Sequence, residues 1–155
     1  PNATQVIKGG TGYGLDNRLP DAVEHIMPDY SLYGKTDTAY GFLTRGCPRC
    51  CAFCHVGVKE GFHSYKVANL SEFWRGQKNI VLCDPNILAC KEWKLILQQL
   101  IDSKAHVDFN QGLDIRMMTE EKAEMLSQIK IKEIHFAWGR YEDKDIILPK
   151  LKPLL

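Results

Sequence analysis

No apolar run in this chain approaches the roughly 18 residues that a membrane-spanning helix needs. The N-terminus also lacks the basic, apolar and small-residue order of a secretion signal. The chain also has no large excess of one charge, since it contains 20 basic and 19 acidic side chains. It therefore shows no clear electrostatic footprint for nucleic acid. The sequence contains no internal repeat and no low-complexity tract. We therefore expect a cytoplasmic globular protein with no membrane partner.

Cysteine, in contrast, is concentrated in one short stretch of the sequence. Cys47, Cys51 and Cys54 follow the pattern C-x3-C-x2-C, and Phe53 stands just before the last cysteine. Three thiolates from one loop can hold three irons of a cubane iron–sulfur cluster, whereas a cluster that only transfers electrons normally takes four cysteines. The fourth iron is then open to a chelating ligand, so the pattern predicts a site that performs chemistry.

The same stretch has other interpretations. Cys47 with Cys50, and Cys51 with Cys54, form two C-x2-C pairs that together with His55 can be zinc ligands. These pairs abut each other, whereas a zinc ribbon separates its pairs by about 15 to 20 residues. Disulfides are disfavoured because no secretory signal is present. The cysteines outside the triad are interpreted as ordinary small apolar residues: Cys50, Cys83 and Cys90.

The segment 41–54 resembles the cluster loop of the radical S-adenosylmethionine (radical SAM) family. The resemblance is specific from Cys47 to Cys54 and elsewhere rests on the order of elements. It implies that Cys47, Cys51 and Cys54 hold a [4Fe-4S] cluster and that Phe53 lies beside the adenine of S-adenosylmethionine. In this family the cofactor is bound at the open iron and is cleaved reductively to a 5'-deoxyadenosyl radical. The resemblance also implies an external electron donor, such as flavodoxin or ferredoxin.

The predicted fold class is α/β, with the chain forming part of a (β/α) barrel of radical SAM type. Apolar runs that end in polar turns predict four strands, at 38–44, 79–83, 107–109 and 132–138. Helices are predicted at 70–78, at 90–103 and after Thr119. Because the family's core has six strand–helix units, we expect the barrel to be truncated after about four strands. The chain does not begin with Met, and we expect it to be a piece of a longer protein.

Two domains are predicted, 1–37 and 38–155, of which the second is the N-terminal part of the radical SAM core. The first contains a predicted strand at Gln5–Ile7 followed by a glycine-rich loop. It resembles the end of the cobalamin-binding-like domain that precedes many radical SAM cores. The resemblance implies that these residues are a short Rossmann-like remnant. The family's cobalt-ligand pattern D-x-H-x-x-G is absent, and His25 has the wrong spacing, so cobalamin binding is not predicted.

Polar residues follow two of the predicted strands, where an α/β barrel carries its active site. By resemblance, Asp84 and Asn86 take the place of the residues that meet the cofactor's amino group, although the family's glycine and glutamate pair is missing. Resemblance likewise implies that Gln111 and Asp114 contact the ribose and that Arg116 pairs with a carboxylate. The alternatives are turn chemistry for the first pair and a local ion pair between Asp114 and Arg116.

These observations lead to two hypotheses. The first is a radical SAM enzyme, or a fragment of one, that binds a [4Fe-4S] cluster and cleaves S-adenosylmethionine, with its small-molecule or macromolecular substrate unidentified. The second is a non-catalytic zinc-binding or iron–sulfur electron-transfer module. The identity of the bound metal separates them.

Overall fold

The computed structural model describes residues 10–34 and 36–151, which are built around a four-stranded parallel sheet. The strands in chain order are β1 (Thr38–Gly41), β2 (Thr44–Arg45), β3 (Tyr65–Lys66), β4 (Asn79–Leu82), β5 (His106–Phe109) and β6 (Lys130–Ile131). The sheet has the order β1, β4, β5, β6, while β2 and β3 form a separate antiparallel pair. The predicted α/β class is confirmed at the level of this parallel sheet.

Helices connect the parallel strands and cover the sheet. They are α1 (Asp21–Glu24), α2 (Val56–Glu60), α3 (Trp93–Ser103), α4 (Glu120–Ser127) and α5 (Lys144–Leu151). Single 3₁₀ segments lie at Tyr30–Tyr33, Leu70–Glu72, Ile87–Ala89, Ile115–Met117 and Tyr141–Asp143. Helix α3 connects β4 to β5 and α4 connects β5 to β6, as parallel neighbours require a crossover. The carboxyl ends of the strands therefore share one edge.

The core lies between the sheet and its helices. Ala39, Ile80 and Val107 are in register on neighbouring strands, and none is more than 2% exposed. Helix α3 supplies a buried apolar stripe that includes Leu97 and Leu100, as its 3.6-residue periodicity predicts. Burial of each such side chain contributes about 1.5 to 3 kcal/mol, so this layer fixes the positions of the strand ends.

Two predicted strands differ from those observed. The strand predicted at 38–44 ends at Gly41, because the backbone amides of Leu43 and Thr44 turn to a carboxylate instead of a neighbouring strand. The strand predicted at 132–138 is wrong, since β6 precedes it and only one isolated bridge, Leu113 to Phe136, lies within it. The alternating side chains of 132–138 are mostly exposed, so no packed face extends the pairing.

The helix predictions also need correction. The helix predicted at 70–78 is a single 3₁₀ turn, capped by Asn69 and Glu72 through reciprocal hydrogen bonds in the manner of a capping box. Thr119 caps α4 as predicted, with its hydroxyl accepting from the Lys122 amide. Pro149 lies within α5, where the buried side chain of Ile147 anchors the helix.

The N-terminal segment covers the free edge of the sheet. The phenol of Tyr30 accepts from the Tyr40 amide at 2.9 Å and lies within 3.1 Å of the carbonyl oxygens of Tyr40 and Phe73, which blunts an exposed strand edge. The predicted strand Gln5–Ile7 lies outside the described residues. Residues 10–34 contain α1 and one 3₁₀ segment but no strand, and the Rossmann-like remnant stays a prediction.

Candidate functional site

The cysteine loop, residues 46–61, begins at the carboxyl edge of the sheet. Gly46 has φ +75°, and a Cβ placed there would lie 2.1 Å from the carbonyl oxygen of His63, so this position requires glycine. The Gly46 amide donates to Glu60 Oε2 at 3.1 Å, and the Cys47 amide donates to the Gly61 carbonyl at 3.1 Å. The end of the loop therefore fixes the backbone that carries the first cysteine.

The thiols of the loop are all free. Cys47 and Cys51 are partly buried, whereas Cys50 and Cys54 are exposed. The Cys54 amide donates to the Cys51 carbonyl at 2.9 Å, which closes a tight turn between the last two cysteines of the triad. Among residues 10–34 and 36–151, no group of three or more histidine, cysteine, aspartate or glutamate side chains is arranged to hold a metal ion. The three sulfurs thus share a loop without converging on one point.

Asp84, directly after β4, is bound to the turn that leads into the loop. Its Oδ1 accepts from the Thr44 amide at 2.5 Å, the Thr44 hydroxyl at 2.6 Å and the Leu43 amide at 3.1 Å. The carboxyl is only 4% exposed, and burial raises its pKa to about 6 because the charged form is desolvated. These contacts position the backbone ahead of the cysteines; the predicted contact of Asp84 with a cofactor amino group stays a prediction.

Asn86 joins the first cysteine to the end of β5. Its Nδ2 lies 3.7 Å from Cys47 Sγ and donates to Asp114 Oδ2 at 3.2 Å. Asn86 and Asp114 are 3% and 4% exposed, so the contact is shielded from water. Two residues predicted from different strand ends are therefore brought together beside Cys47.

Arg116 pairs with two carboxylates. Its Nε donates to Asp114 Oδ1 at 2.6 Å, and its Nη1 donates to Asp143 Oδ2. The local ion pair considered for Asp114 and Arg116 is thus present, and Asp143 extends it. A carboxylate from a ligand would have to share Arg116 with these two partners.

Arg49 brings the cysteine loop into the same cluster. Its Nε lies 3.7 Å from Asp114 Oδ2, and its Nη2 lies 3.7 Å from Asp143 Oδ2. Both distances exceed that of a direct hydrogen bond. Arg49 Nε and Asn86 Oδ1 are buried atoms without a hydrogen-bond partner in the described part of the chain. Two unsatisfied polar groups of opposite character, a donor and an acceptor, therefore lie at this edge.

The two other predicted contacts lie at the surface. Phe53 is 80% exposed, and its Cζ lies 3.6 Å from the position of a Cβ on Gly139. Gln111 is exposed in the turn after β5, and His55 is exposed just before α2. The ring of Phe53 is thus open to a planar ligand.

Two basic residues beside the loop have partners within the chain. Arg45 pairs with Glu24 at 2.8 Å and Glu60 at 3.0 Å, and its guanidinium lies 3.6 Å from the centre of the Phe42 ring. The Lys59 ammonium donates to Thr11 Oγ1 and to the Asn17 carbonyl. Arg45 and Lys59, two cations beside the loop, are therefore bound by other groups of the chain.

Cys83 and Cys90 differ from the triad, whereas Cys50, also predicted to be an ordinary apolar residue, is exposed like Cys54. Cys90 is 1% exposed, and burial raises the pKa of its thiol to about 11; burial also raises the pKa of the Cys83 thiol. Such thiols are poor nucleophiles and ligands. Both agree with an interpretation as apolar residues.

Sequence reasoning missed three parts of this edge: Asp143, Glu60 and Thr44. Glu60 is the last residue of α2, where the helix dipole disfavours an acid, so the helix itself gave no signal for its pairing with Arg45. Asp143 and Thr44 act through long-range contacts, for which the sequence pattern gives no signal.

No protein-family model, curated protein sequence or solved structure matched this chain. Within residues 10–34 and 36–151, no helix has both the length and the apolar character needed to cross a membrane.

Proposed function

We propose that the chain is the first part of a radical SAM core, a partial (β/α) barrel in which Cys47, Cys51 and Cys54 hold a [4Fe-4S] cluster. The observation that carries the proposal is the contact of Asn86 with both Cys47 Sγ and Asp114. It joins the cysteine loop to the carboxyl ends of β4 and β5, the edge at which parallel α/β folds bind ligands.

The donor set fits such a cluster. Three free thiols on one loop are the soft ligands that iron–sulfur clusters take, and Cys47 and Cys51 are already partly shielded from solvent. A cluster bound there would supply the electron that cleaves a carbon–sulfur bond of S-adenosylmethionine to give methionine and the 5'-deoxyadenosyl radical. The chain's own part is to gather the thiols and to hold the cofactor beside them.

The residues at the edge have separate roles in this proposal. The unpaired Oδ1 of Asn86 accepts an N–H of the cofactor's amino group, with Asp84 behind it holding the loop entrance. Asp114 and Gln111 contact the ribose, Arg116 contacts the carboxylate, and the exposed ring of Phe53 stacks on the adenine. The chemical support is the complementary charge and the open acceptor at Asn86.

The proposal requires two partners. One is an external electron donor such as flavodoxin or ferredoxin, because no second redox group belongs to the proposed site. The other is a substrate that yields a hydrogen atom to the radical, and its identity is open.

Anaerobic reconstitution with iron and sulfide tests the proposal. Low-temperature electron paramagnetic resonance of the reduced protein is expected to show a [4Fe-4S] signal that shifts when S-adenosylmethionine is added. The signal is expected to vanish in Cys47→Ala and to persist in Cys83→Ala, a matched control outside the triad. Tightly bound zinc without a cluster signal would overturn the proposal in favour of a non-catalytic zinc module. A cluster that ignores S-adenosylmethionine would indicate an electron-transfer module.

A further inference from the structure

We propose that Arg49 and Asp143 are positioning residues that hold the cysteine loop against the carboxyl ends of β4 and β5. They do so through a charge network, defined as Arg49, Asp114, Arg116 and Asp143. The effect on a bound cluster rests on the proposed function, whereas the effect on the loop itself does not.

Arg49 is the member that belongs to the loop. It is the one charged residue between Cys47 and Cys54, so an electrostatic contact of this stretch must pass through it. Its guanidinium lies near two carboxylates at once. The distance from Nε to Asp114 Oδ2 is 3.7 Å, and the distance from Nη2 to Asp143 Oδ2 is also 3.7 Å. Arg49 is 32% exposed at its side chain, whereas the two acids are 4% and 15% exposed. The loop therefore contributes the more exposed partner, and the two acids are the more buried ones.

Arg116 fixes the two acids. Its guanidinium bonds Asp114 on one side and Asp143 on the other, and its side chain is 9% exposed. The backbone that carries Arg116 is fixed in turn, because the Lys150 ammonium donates hydrogen bonds to the carbonyl oxygens of Arg116 and Met118 at 2.8 and 2.9 Å. Two arginines alternate with two aspartates, so the network has no net charge and each partly buried ion has an opposite neighbour.

The network reaches the first cysteine through one more side chain. Asn86 donates to Asp114 Oδ2, the same oxygen that faces Arg49, and lies 3.7 Å from Cys47 Sγ. Asp143 comes from the segment before α5, far along the chain from the loop. The contact therefore ties the cysteine loop to elements that the rest of the fold already fixes.

The primary test measures the loop without any metal. The reduced, metal-free 155-residue chain is treated with iodoacetamide, and alkylation of Cys47 and Cys51, the two partly buried thiols of the triad, is followed site by site by mass spectrometry. Arg49→Gln and Asp143→Ala are each expected to raise the alkylation rate about three- to tenfold, the range of a modest coupling between contacting charges. The double variant is expected to exceed either single variant by little, because each single variant already removes the contact between Arg49 and Asp143.

Controls separate positioning from general destabilisation. Glu121→Ala removes the ion pair with Lys94, which lies on the helices and not on the loop, and is expected to leave the rate unchanged. Arg49→Lys retains the charge and is expected to restore part of the protection. Wild-type alkylation rates in both Arg49→Gln and Asp143→Ala would overturn the inference, as would equal acceleration in Glu121→Ala.

A second measurement distinguishes this inference from the proposed function. After reconstitution, both network variants are expected to hold severalfold less iron per chain than wild type, and Arg49→Gln is expected to do so with a thermal midpoint close to that of Glu121→Ala. If wild type takes up no cluster but the variants still expose the thiols, the proposed function fails and the positioning role stands. If wild type takes up the cluster and the variants match it in iron and in alkylation, the positioning role fails alone.

Discussion

The turns after β4 and β5 each bury one aspartate, and the two differ in what they bind. Asp84 and Asp114 are both 4% exposed. Asp84 accepts from the neutral amides and hydroxyl of Leu43 and Thr44, whereas Asp114 accepts from the cation Arg116 and from Asn86. The same residue type at equivalent places in the fold therefore serves two purposes.

The difference teaches how to assign strand-end residues. Position at the carboxyl edge of a parallel sheet places a side chain near a site, but its partners decide its role. The carboxylate oxygens of Asp84 accept hydrogen bonds from the segment that precedes the cysteine loop, so Asp84 fixes the conformation of that segment. Asp114 belongs to a charge network that touches the loop at Arg49, so it links the loop to the end of β5.

The largest expected effect is on the free energy of unfolding, which replacement of Asp84 is expected to lower more than replacement of Asp114. Asp84→Ala leaves two buried amides and one hydroxyl without their acceptor, and we expect the free energy of unfolding to fall by about 4 kcal/mol. Asp114→Ala leaves Arg116 paired with Asp143, and a loss of about 2 kcal/mol is expected. Urea unfolding measures both. A larger loss in Asp114→Ala would reverse the assignment of roles.

The pH dependence isolates the charge of Asp84. Its pKa is raised from 3.8 to about 6, so the folded protein binds the proton more tightly than the unfolded chain. The resulting stabilisation is fully present below pH 3.8 and is lost as pH rises to about 6, a decrease of about 3 kcal/mol. Asp84→Asn cannot titrate there and is expected to lack this decrease. Parallel urea-unfolding profiles of the two proteins between about pH 4 and 6.5 would contradict it.

Gly46→Ala disturbs the cysteine loop without touching either aspartate. The added Cβ meets the His63 carbonyl in a backbone of positive φ, and we expect about 2 to 3 kcal/mol of destabilisation or an opened loop. Gly76 also has positive φ, +93°, but nothing lies near its Cβ position, so Gly76→Ala is the matched control with about 1 kcal/mol. Equal urea-unfolding losses in the two variants would show that the carbonyl contact is unimportant.

Much of the parallel sheet could be predicted from local patterns. The run Asn79–Leu82 is apolar and ends in Asp84, Pro85 and Asn86, and a strand followed by a turn is what the structure has there. The polar residues after β4 and β5 were expected to share an edge, and Asn86 and Asp114 do contact each other. These features depend on neighbours in sequence and on the rule that parallel strands end together.

The remainder depends on contacts that no local pattern contains. The alternation at 132–138 resembles a strand, but the side chains find no covering layer, with Ile134 40% exposed. The role of Asp84 is decided by the amides of Leu43 and Thr44, about 40 positions earlier in the chain. Asp143 joins the site only because α5 returns beside the turn after β5. The expected metal ligation by the three cysteines stays a prediction.

The smallest expected effect comes from one hydrogen bond near the surface, whose loss can be compared with the loss of the buried hydrogen bonds of Asp84. Tyr30→Phe removes the hydroxyl that accepts from the Tyr40 amide at the free edge of β1, and we expect about 1 kcal/mol of destabilisation by urea unfolding. Tyr13→Phe, at a 68% exposed position, is expected to have no effect. The Tyr40 amide lies nearer to solvent than those bound by Asp84, so water can replace the lost partner. A loss from Tyr30→Phe as large as that from Asp84→Ala would mean that burial adds little to the Asp84 contacts, and the contrast between the two strand ends would then rest on charge alone.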